Sequence, residues 1–413
     1  MSQRRVVVTG MGLVSPLGHA VDVFWEKYLA GESGIRPVKR FDVSAFSVRF
    51  GGECYDFDPG THLDRRSRQR VDRFAQFAIC AALDAFKNSG LEPGAGDPTR
   101  FGVITGSGIG GLQELEDQHT RLMNKGPDRV SAFTIPKLMV NAASGNISIL
   151  VQAQGPNTAV ATACASATHA MGDALSTIRS NLADVMITGG SEAALTPIGL
   201  ASFATMKALS QRNDDPTSAS RPFDRDRDGF VLGEGAGMFV FEEYEYARKR
   251  GAQIYAEVLG FGMSGDAYHI TQPLEHGQGG ARAMTLALQN ARMSPDRIDY
   301  INAHGTGTPL GDVAESVAIR TVFQAHADKV SVSSTKSAIG HLLGASGGVE
   351  LIATIQALRF GVVPPTLNLE NPGEGCDLNY TPLTPRDRRI KTAISNSFGF
   401  GGHNASIIVG KVA

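Results

Sequence analysis

The sequence predicts an α/β architecture built of layers, and three observations carry that prediction. Short apolar, strand-like runs alternate with helical stretches through most of the 413 residues. Two helical stretches, Ser166 to Ile178 and Gly348 to Leu358, are dense in alanine, glycine and other small or aliphatic residues. A helix without a polar face is usually buried on all sides. The third observation is an internal echo. Arg100-Phe101-Gly102-Val103-Ile104-Thr105-Gly106-Ser107-Gly108 and Arg297-Ile298-Asp299-Tyr300-Ile301-Asn302-Ala303-His304-Gly305 each place a glycine-bearing loop just past a strand. Two similar halves are expected, 1–251 and 252–413, divided within the charged stretch Glu242 to Gly251, with an active site where they meet.

The elements follow in order. Val6 to Thr9 is a strand entered directly from Met1-Ser2-Gln3-Arg4-Arg5, which leaves no room for a signal peptide. Val71 to Ala85 is a helix, with Phe74, Phe77, Ala78, Ala81, Ala82 and Ala85 at helical spacing. Gly102 to Thr105 and Asp184 to Thr188 are short buried strands, each followed by glycine. Val330 to Ser334 is another strand, leading to His341. Glycine is abundant, 48 residues, clustered after strands where tight turns need a residue without a side chain.

Composition narrows the function. The chain is 42% hydrophobic and 19% charged with a net charge of −2, which fits a soluble globular protein and gives no reason to expect nucleic acid as a partner. No apolar run approaches the roughly 18 residues needed to span a membrane. Four scattered cysteines without a CxxC pair argue against a disulfide framework or a metal site and for a reducing, cytoplasmic setting.

Of those cysteines only Cys164 sits where a reactive thiol would be built. Ala159-Val160-Ala161-Thr162-Ala163-Cys164-Ala165-Ser166-Ala167 runs from a strand into a small-residue helix, whose positive end is expected to favour the thiolate while small neighbours admit a substrate. Cys54, Cys80 and Cys376 read as structural. His304, before Gly305-Thr306-Gly307-Thr308, and His341, in Lys336-Ser337-Ala338-Ile339-Gly340-His341, also lie at strand ends on glycine-rich turns. Catalytic groups of α/β sheets gather at that edge. A cysteine with distant histidines points to covalent acyl transfer. Two neutral imidazoles suit a reaction that loses carbon dioxide, because the enolate left behind needs donors aimed at its oxygen. Lys336, among small residues, is placed to orient its neighbours. His169 and His269 lack this setting and read as ordinary histidines.

Asn396-Ser397-Phe398-Gly399-Phe400-Gly401-Gly402-His403-Asn404 reads as a flexible loop whose amides can form an oxyanion hole and whose phenylalanines, Phe398 and Phe400, can gate an apolar tunnel. Gly106-Ser107-Gly108-Ile109-Gly110-Gly111 matches the GxGxxG dinucleotide pattern. The helix after it is too polar for that role and no strand with a terminal acid follows, so a nicotinamide-dependent dehydrogenase is disfavoured and no cofactor is expected.

Together these motifs resemble the β-ketoacyl-acyl carrier protein synthases, most closely the type II condensing enzymes of fatty-acid synthesis. The likeness runs from Val7-Val8-Thr9-Gly10 through Asp228-Gly229-Phe230-Val231-Leu232-Gly233-Glu234-Gly235-Ala236-Gly237 to Phe398-Gly399-Phe400-Gly401-Gly402. It implies a thiolase-like, five-layered αβαβα fold of two halves, as a homodimer. It implies Cys164 as the nucleophile, His304 and His341 as the decarboxylating pair, and Lys336 as their electrostatic support. Phe400 would gate the site, its amide joining that of Cys164 in an oxyanion hole. Thr306 and Thr308 match positions that bind the pantetheine arm, and Ile109 matches one that lines the acyl pocket. Some members hold a structural monovalent cation near residues matching Asn302, Glu350 and Asn396. His403 departs from the threonine common after Gly-Gly.

The partner implied is an acyl carrier protein, and charge supports it separately. Asp64 to Arg73 holds Arg65, Arg66, Arg68, Arg70 and Arg73 against two aspartates, a local +3 suited to an acidic carrier. A discrete polyketide-type ketosynthase is the alternative enzyme. A biosynthetic thiolase is disfavoured by two histidines in place of a second catalytic cysteine, and a non-catalytic partner subunit by the presence of Cys164.

Overall fold

The computed structural model describes residues 3–94 and 96–412. Ten strands form one mixed sheet: β1 (Val6–Val14), β2 (Phe101–Gly106), β3 (Asn157–Val160), β4 (Val185–Glu192), β5 (Gly235–Glu243), β6 (Ala256–Gly265), β7 (Tyr300–Asn302), β8 (Ser331–Ser333), β9 (Thr392–Gly399) and β10 (His403–Gly410). Their order is β8-β7-β9-β10-β6-β1-β5-β4-β2-β3. The two runs of five repeat one plan. In each, three strands are parallel (β3, β2, β4 and β8, β7, β9), and two antiparallel strands follow. β1 and β6 join the runs through a short antiparallel pairing, Val7 with Glu257 and Val8 with Ala256.

Six helices complete the repeat: α1 (Arg73–Ser89), α2 (Ala142–Val151), α3 (Ser166–Arg179), α4 (Gln278–Ala291), α5 (Pro309–Phe323) and α6 (Ser346–Phe360). Each half therefore reads βαβαβαββ. α1 packs on β1 and β5 with α2 beside it, α4 packs on β6 and β10 with α5 beside it, and α3 and α6 touch strands of both runs. The result is five layers, helix, sheet, helix, sheet, helix. The middle layer explains the small-residue helices, for every residue of α6 from Ser346 to Leu358 is buried. Close approach is also why glycine persists there. A Cβ on Gly348 would lie 2.4 Å from the carbonyl oxygen of Gly237 on β5.

Element boundaries shift in instructive ways. β1 continues past the expected Thr9 to Val14, and β4 continues past Thr188 through Gly189 and Gly190. These glycines do not end the strand. They let it lie flush on β5, since a Cβ on Gly189 would sit 2.1 Å from the Gly237 oxygen. α1 starts at Arg73 rather than Val71 because Asp72 caps it, accepting from the Phe74 amide at 3.1 Å. The echo seen in the sequence is a real structural repeat, a 3₁₀ turn (Pro98–Arg100, Pro295–Arg297) leading into β2 and β7. Among the described residues no helix is long and apolar enough to cross a membrane.

Candidate active site

Three loops at one edge of the sheet bring the expected residues together. The first, after β3, is a 3₁₀ turn, Ala163–Ala165, that hands the chain to α3. Ala163 has φ of +49°, a left-handed conformation costly for a residue with a side chain. Ser166 holds the turn: its hydroxyl donates to the Ala163 carbonyl at 2.7 Å and accepts from the Thr162 amide at 2.9 Å. His169 adds to this, with Nδ1 at 2.9 Å from the Thr162 hydroxyl and 3.1 Å from the Ala165 carbonyl oxygen. It is a satisfied core histidine that braces the Cys164 turn, whereas His269 is exposed.

Cys164 is 7% exposed and belongs to an apolar cluster with Leu195, Leu200, Phe230 and Leu343. The expectation of a thiol shifted toward thiolate by the helix end is reversed. Burial pushes the Cys164 thiol up to about 11, against the opposing pull of Lys336 and of the backbone amides of Phe400 and Cys164 itself. On that value the thiolate is on the order of 10⁻⁴ of the resting population at pH 7. Desolvation wins because a three-residue turn brings only the end of a dipole, while burial excludes water from the whole group. The two amides that bear on the sulfur are the ones the resemblance assigns to an oxyanion hole. A Cβ on Gly399 would stand 3.1 Å from the Cys164 nitrogen, so glycine there lets the two chains meet.

The second loop follows β7. The amides of His304 and Gly305 donate to the two carboxylate oxygens of Glu315, on α5, at 2.8 and 2.7 Å. Lys336 Nζ lies 3.4 Å from His304 Nδ1. An ammonium has no lone pair, so Nδ1 accepts and the ring proton sits on Nε2. The third loop follows β8, where His341 Nδ1 is 2.9 Å from the Ser346 hydroxyl and the ring stands edge-on to His304, centroids 5.3 Å apart. Burial, then Lys336, and for His304 also His341, hold both imidazoles well below their usual range. Both are therefore neutral at pH 7.

Lys336 is 1% exposed and paired with the fully buried Glu350. Removing one partner of such a pair costs ~3–5 kcal/mol. Glu350 has its other oxygen, Oε2, unpartnered, as is the buried Oδ1 of Asn302, while Asn396 Oδ1 already accepts from Ser406. Two orphaned acceptor oxygens fit the oxygen-ligated monovalent cation that some of the resembled enzymes hold. Among the described residues no group of three or more His, Cys, Asp or Glu is placed to hold a metal ion.

Cys164, His304, His341, Thr306, Thr308, Phe398 and Phe400 all line one cavity of about 470 Å³. The Thr306 and Thr308 hydroxyls are 3.0 Å apart in its lining, and the Phe398 ring lies 5.7 Å from that of His304. Ile109 does not line this cavity. It is 38% exposed on the loop after β2, next to Gly108, whose Cβ would lie 3.4 Å from Ala163. The segment Asn396 to Asn404 is not a flexible loop but a β-hairpin, with β9 paired to β10 and only Phe400 to Gly402 in the turn. Gly401 and Gly402, at φ of +83° and +72°, make that turn. The GxGxxG amides are committed elsewhere: those of Gly108 and Ile109 donate to Glu192.

The arginines divide. Arg65 and Arg66 lie exposed on a short helix capped by Asp64, Arg68 faces the exposed Asp58 at 3.4 Å, and the Arg70 guanidinium sits 5.2 Å from the Phe133 ring centroid. Arg73 is not part of this patch. It turns inward to the fully buried Glu234 at 2.6 Å and to the Cys54 carbonyl at 3.1 Å.

Sequence reasoning missed Glu315 and Glu192. Each looks like a lone acid, and the only signal was its company: Glu315 between Ala314 and Ser316 within an apolar helix, Glu192 at the end of a buried strand. Burial and the neighbouring amides become visible only once distant loops converge.

A family model described as "Beta-ketoacyl synthase, N-terminal domain" matches residues 3–247, and one described as "Beta-ketoacyl synthase, C-terminal domain" matches residues 255–370. The protein of Coxiella burnetii called 3-oxoacyl-[acyl-carrier-protein] synthase 2 is 50% identical, with 100% of each chain covered. Its namesake from Vibrio cholerae is 51% identical, with 99% of each covered. A solved structure described as a type II PKS acyl-carrier protein in complex with its ketosynthase bound to the hexaketide is 34% identical, with 100% of each chain covered and a TM-score of 0.92.

Proposed function

Because the chain belongs to the beta-ketoacyl synthase family, we propose that its cavity runs a decarboxylating condensation in three stages on thioesters of an acyl carrier protein. The protein is a condensing enzyme of fatty-acid synthesis with the thiolase-like fold. The observation that carries the mechanism is the meeting of one thiol, two neutral imidazoles and the residues Cys164 and Phe400, whose amides bear on the sulfur, in a single cavity.

First, the Cys164 sulfur attacks the acyl thioester. Its proton leaves with the carrier's sulfur, the old C–S bond breaks, and an acyl-Cys164 thioester forms. The amides of Cys164 and Phe400 hold the tetrahedral oxyanion. The thiol's high resting pKa assigns deprotonation to the moment of attack, when a neutral imidazole is at hand. Second, malonyl thioester enters, its pantetheine arm along Thr306 and Thr308. Loss of carbon dioxide puts negative charge on the thioester oxygen, and the Nε2–H groups of His304 and His341 donate to it. Lys336 fixes the His304 tautomer and Ser346 engages Nδ1 of His341. Third, the enolate carbon attacks the acyl-Cys164 carbonyl. Collapse expels the Cys164 sulfur, which regains a proton, and 3-oxoacyl-carrier leaves. Asn302 Oδ1 and Glu350 Oε2 would hold the structural cation; when bound it supplies positive charge beside a buried carboxylate.

The patch of Arg65, Arg66, Arg68 and Arg70 docks the acidic carrier, and residues 1–251 and 252–413 are the two halves that frame the site. We place the work in the cytoplasm, a reducing compartment that four unpaired thiols suit, and in a homodimer. The edge strand β3, with Asn157 and Thr158 exposed, and the exposed Phe133, Ile135, Met139 and Ile149 support a second copy covering this face. Identity of 50% to the fatty-acid enzymes against 34% to the polyketide ketosynthase favours the fatty-acid reading.

The test is to incubate purified protein with a long-chain acyl-carrier protein and no malonyl donor, then take intact mass and map the modified peptide. An acyl adduct on Cys164 is expected. Folded protein left unmodified by a competent donor overturns the reading.

A further inference from the structure

Most buried carboxylates of this chain face a cation: Glu234 faces Arg40 and Arg73, Glu242 faces Arg250, Asp312 faces Arg227, and Glu350 faces Lys336. Glu192 does not. It is fully buried at the end of β4, and its partners are neutral donors from two separate loops. Oε1 accepts from the Ser107 hydroxyl at 2.9 Å and the Ile109 amide at 3.2 Å, and Oε2 from the Gly108 amide at 2.7 Å and the Gly344 amide at 3.1 Å. The first three belong to the loop after β2. Gly344 belongs to the turn three residues beyond His341. These loops are otherwise held apart by nothing larger than hydrogen: a Cβ on Gly344 would stand 2.4 Å from the Gly108 nitrogen and 2.6 Å from Glu192 Oε2.

A buried carboxylate without a cation is expensive to keep, so one satisfied by three loop amides and a loop hydroxyl marks a place where loop geometry matters. Glu315 does the equivalent task for the His304 loop. We propose that Glu192 is a positioning residue that clamps the Ile109 loop to the His341 turn, so that the wall behind Cys164 and the placement of His341 are set together. This rests on the reading of Cys164 and His341 as condensing residues, and on Gly108 of the clamped loop abutting the Cys164 turn, its Cβ position 3.4 Å from Ala163. Its consequence is that selection among acyl lengths and the efficiency of decarboxylation change together. Were Glu192 only a fold-holding acid, its loss would lower stability and scale every rate alike.

The experiment uses E192Q in the full chain, which keeps the shape but turns an amide donor toward loop donors. Hydrogen exchange read by mass spectrometry is expected to quicken by tenfold or more in peptides containing Gly108–Ile109 and in those containing Gly344, with His304–Gly305, held by Glu315, unchanged. Acylation of Cys164 measured across short to long acyl donors is expected to lose most of its length preference, with malonyl decarboxylation falling about tenfold. Exchange altered in only one of the two loops, or an unchanged length profile in folded protein, overturns the proposal. If E192Q does not fold, S107A replaces it, removing one donor and leaving the carboxylate. A length profile flattened about threefold then supports the clamp and an unchanged profile overturns it. Because exchange needs no turnover, a wild-type protein that fails to condense would sink the proposed function while leaving the clamp itself decided.

Discussion

Two turns of this molecule share one backbone and differ in what they carry. Thr162-Ala163-Cys164-Ala165-Ser166 follows β3, and Leu342-Leu343-Gly344-Ala345-Ser346 follows β8. Each has a 3₁₀ turn of three residues whose first member is left-handed, Ala163 at φ +49° and Leu343 at +48°, and each then enters a buried helix of the middle layer. Cys164 of the first turn, the proposed nucleophile, stands where the second has Gly344. The difference has a steric cause. At Cys164 the side chain opens onto the cavity, while any Cβ at Gly344 would collide with Gly108 and Glu192. Repetition of a fold thus supplied two equivalent turns, and packing between them let only one bear a reactive group. The other contributes through His341, just before it.

That contrast can be broken from either side. Replacing Cys164 by alanine makes the two turns alike and should lower condensation by roughly 10⁴-fold or more, because no covalent intermediate forms. A product assay that still shows condensation would refute the assignment. Some malonyl decarboxylation should survive, since the histidines stand independently of the sulfur. His304→Ala removes a positioned donor and should slow decarboxylation by about 10²-fold, read as carbon dioxide release. An unchanged rate would mean the histidine is misread. Gly344→Ala adds a Cβ to the second turn and should cost ~1–3 kcal/mol of stability, measured by denaturant unfolding, with a smaller fall in decarboxylation as His341 shifts. Free stability at that site would show the loops to be loosely packed.

Charge and pH give the smaller effects. Reversing Arg65 and Arg66 to glutamate should raise KM for carrier-bound substrate several-fold without changing kcat, and the effect should shrink at high salt. An unaltered KM would remove these residues from the docking surface. Alkylation of Cys164 by iodoacetamide in the empty enzyme, followed on its peptide, should rise with a midpoint near pH 11, not near the ~8.5 of a free thiol. The sign follows from burial, which favours the neutral thiol. For the histidines the sign is opposite in effect: their folded-state pKa values lie below those of the unfolded chain, so the unfolded state binds the extra protons. Their contribution to stability is present above about pH 6.5 and is lost as the pH falls below it.

Much of this site could be read before folding. The convergence of Cys164, His304 and His341 on one cavity was legible because each lies past a strand end with glycine and small residues on either side, which leaves a local mark. The buried run of α6 was legible for the same reason, since composition without a polar face admits only an interior, whereas α3 departs from that expectation by exposing Asp173 and Ser176. The hairpin of β9 and β10 was harder, as its glycines and phenylalanines read as a loose loop until the pairing of Asn396 with Ser406 and Phe398 with Asn404 was formed.

What the chain determined by itself, then, is the order of strands and helices, the doubling of the plan, and which strand ends carry Cys164, His304 and His341, because each depends on residues near in sequence. Only the tertiary structure decided the electrostatics. Whether Cys164 rests as thiol or thiolate, which nitrogen of His304 bears its proton, that Arg73 faces inward, and that Glu192 and Glu315 bind loops all depend on groups far apart in the chain. Desolvation and hydrogen bonding act over a few ångströms of space, and no local pattern of residues records which distant atoms will fill them.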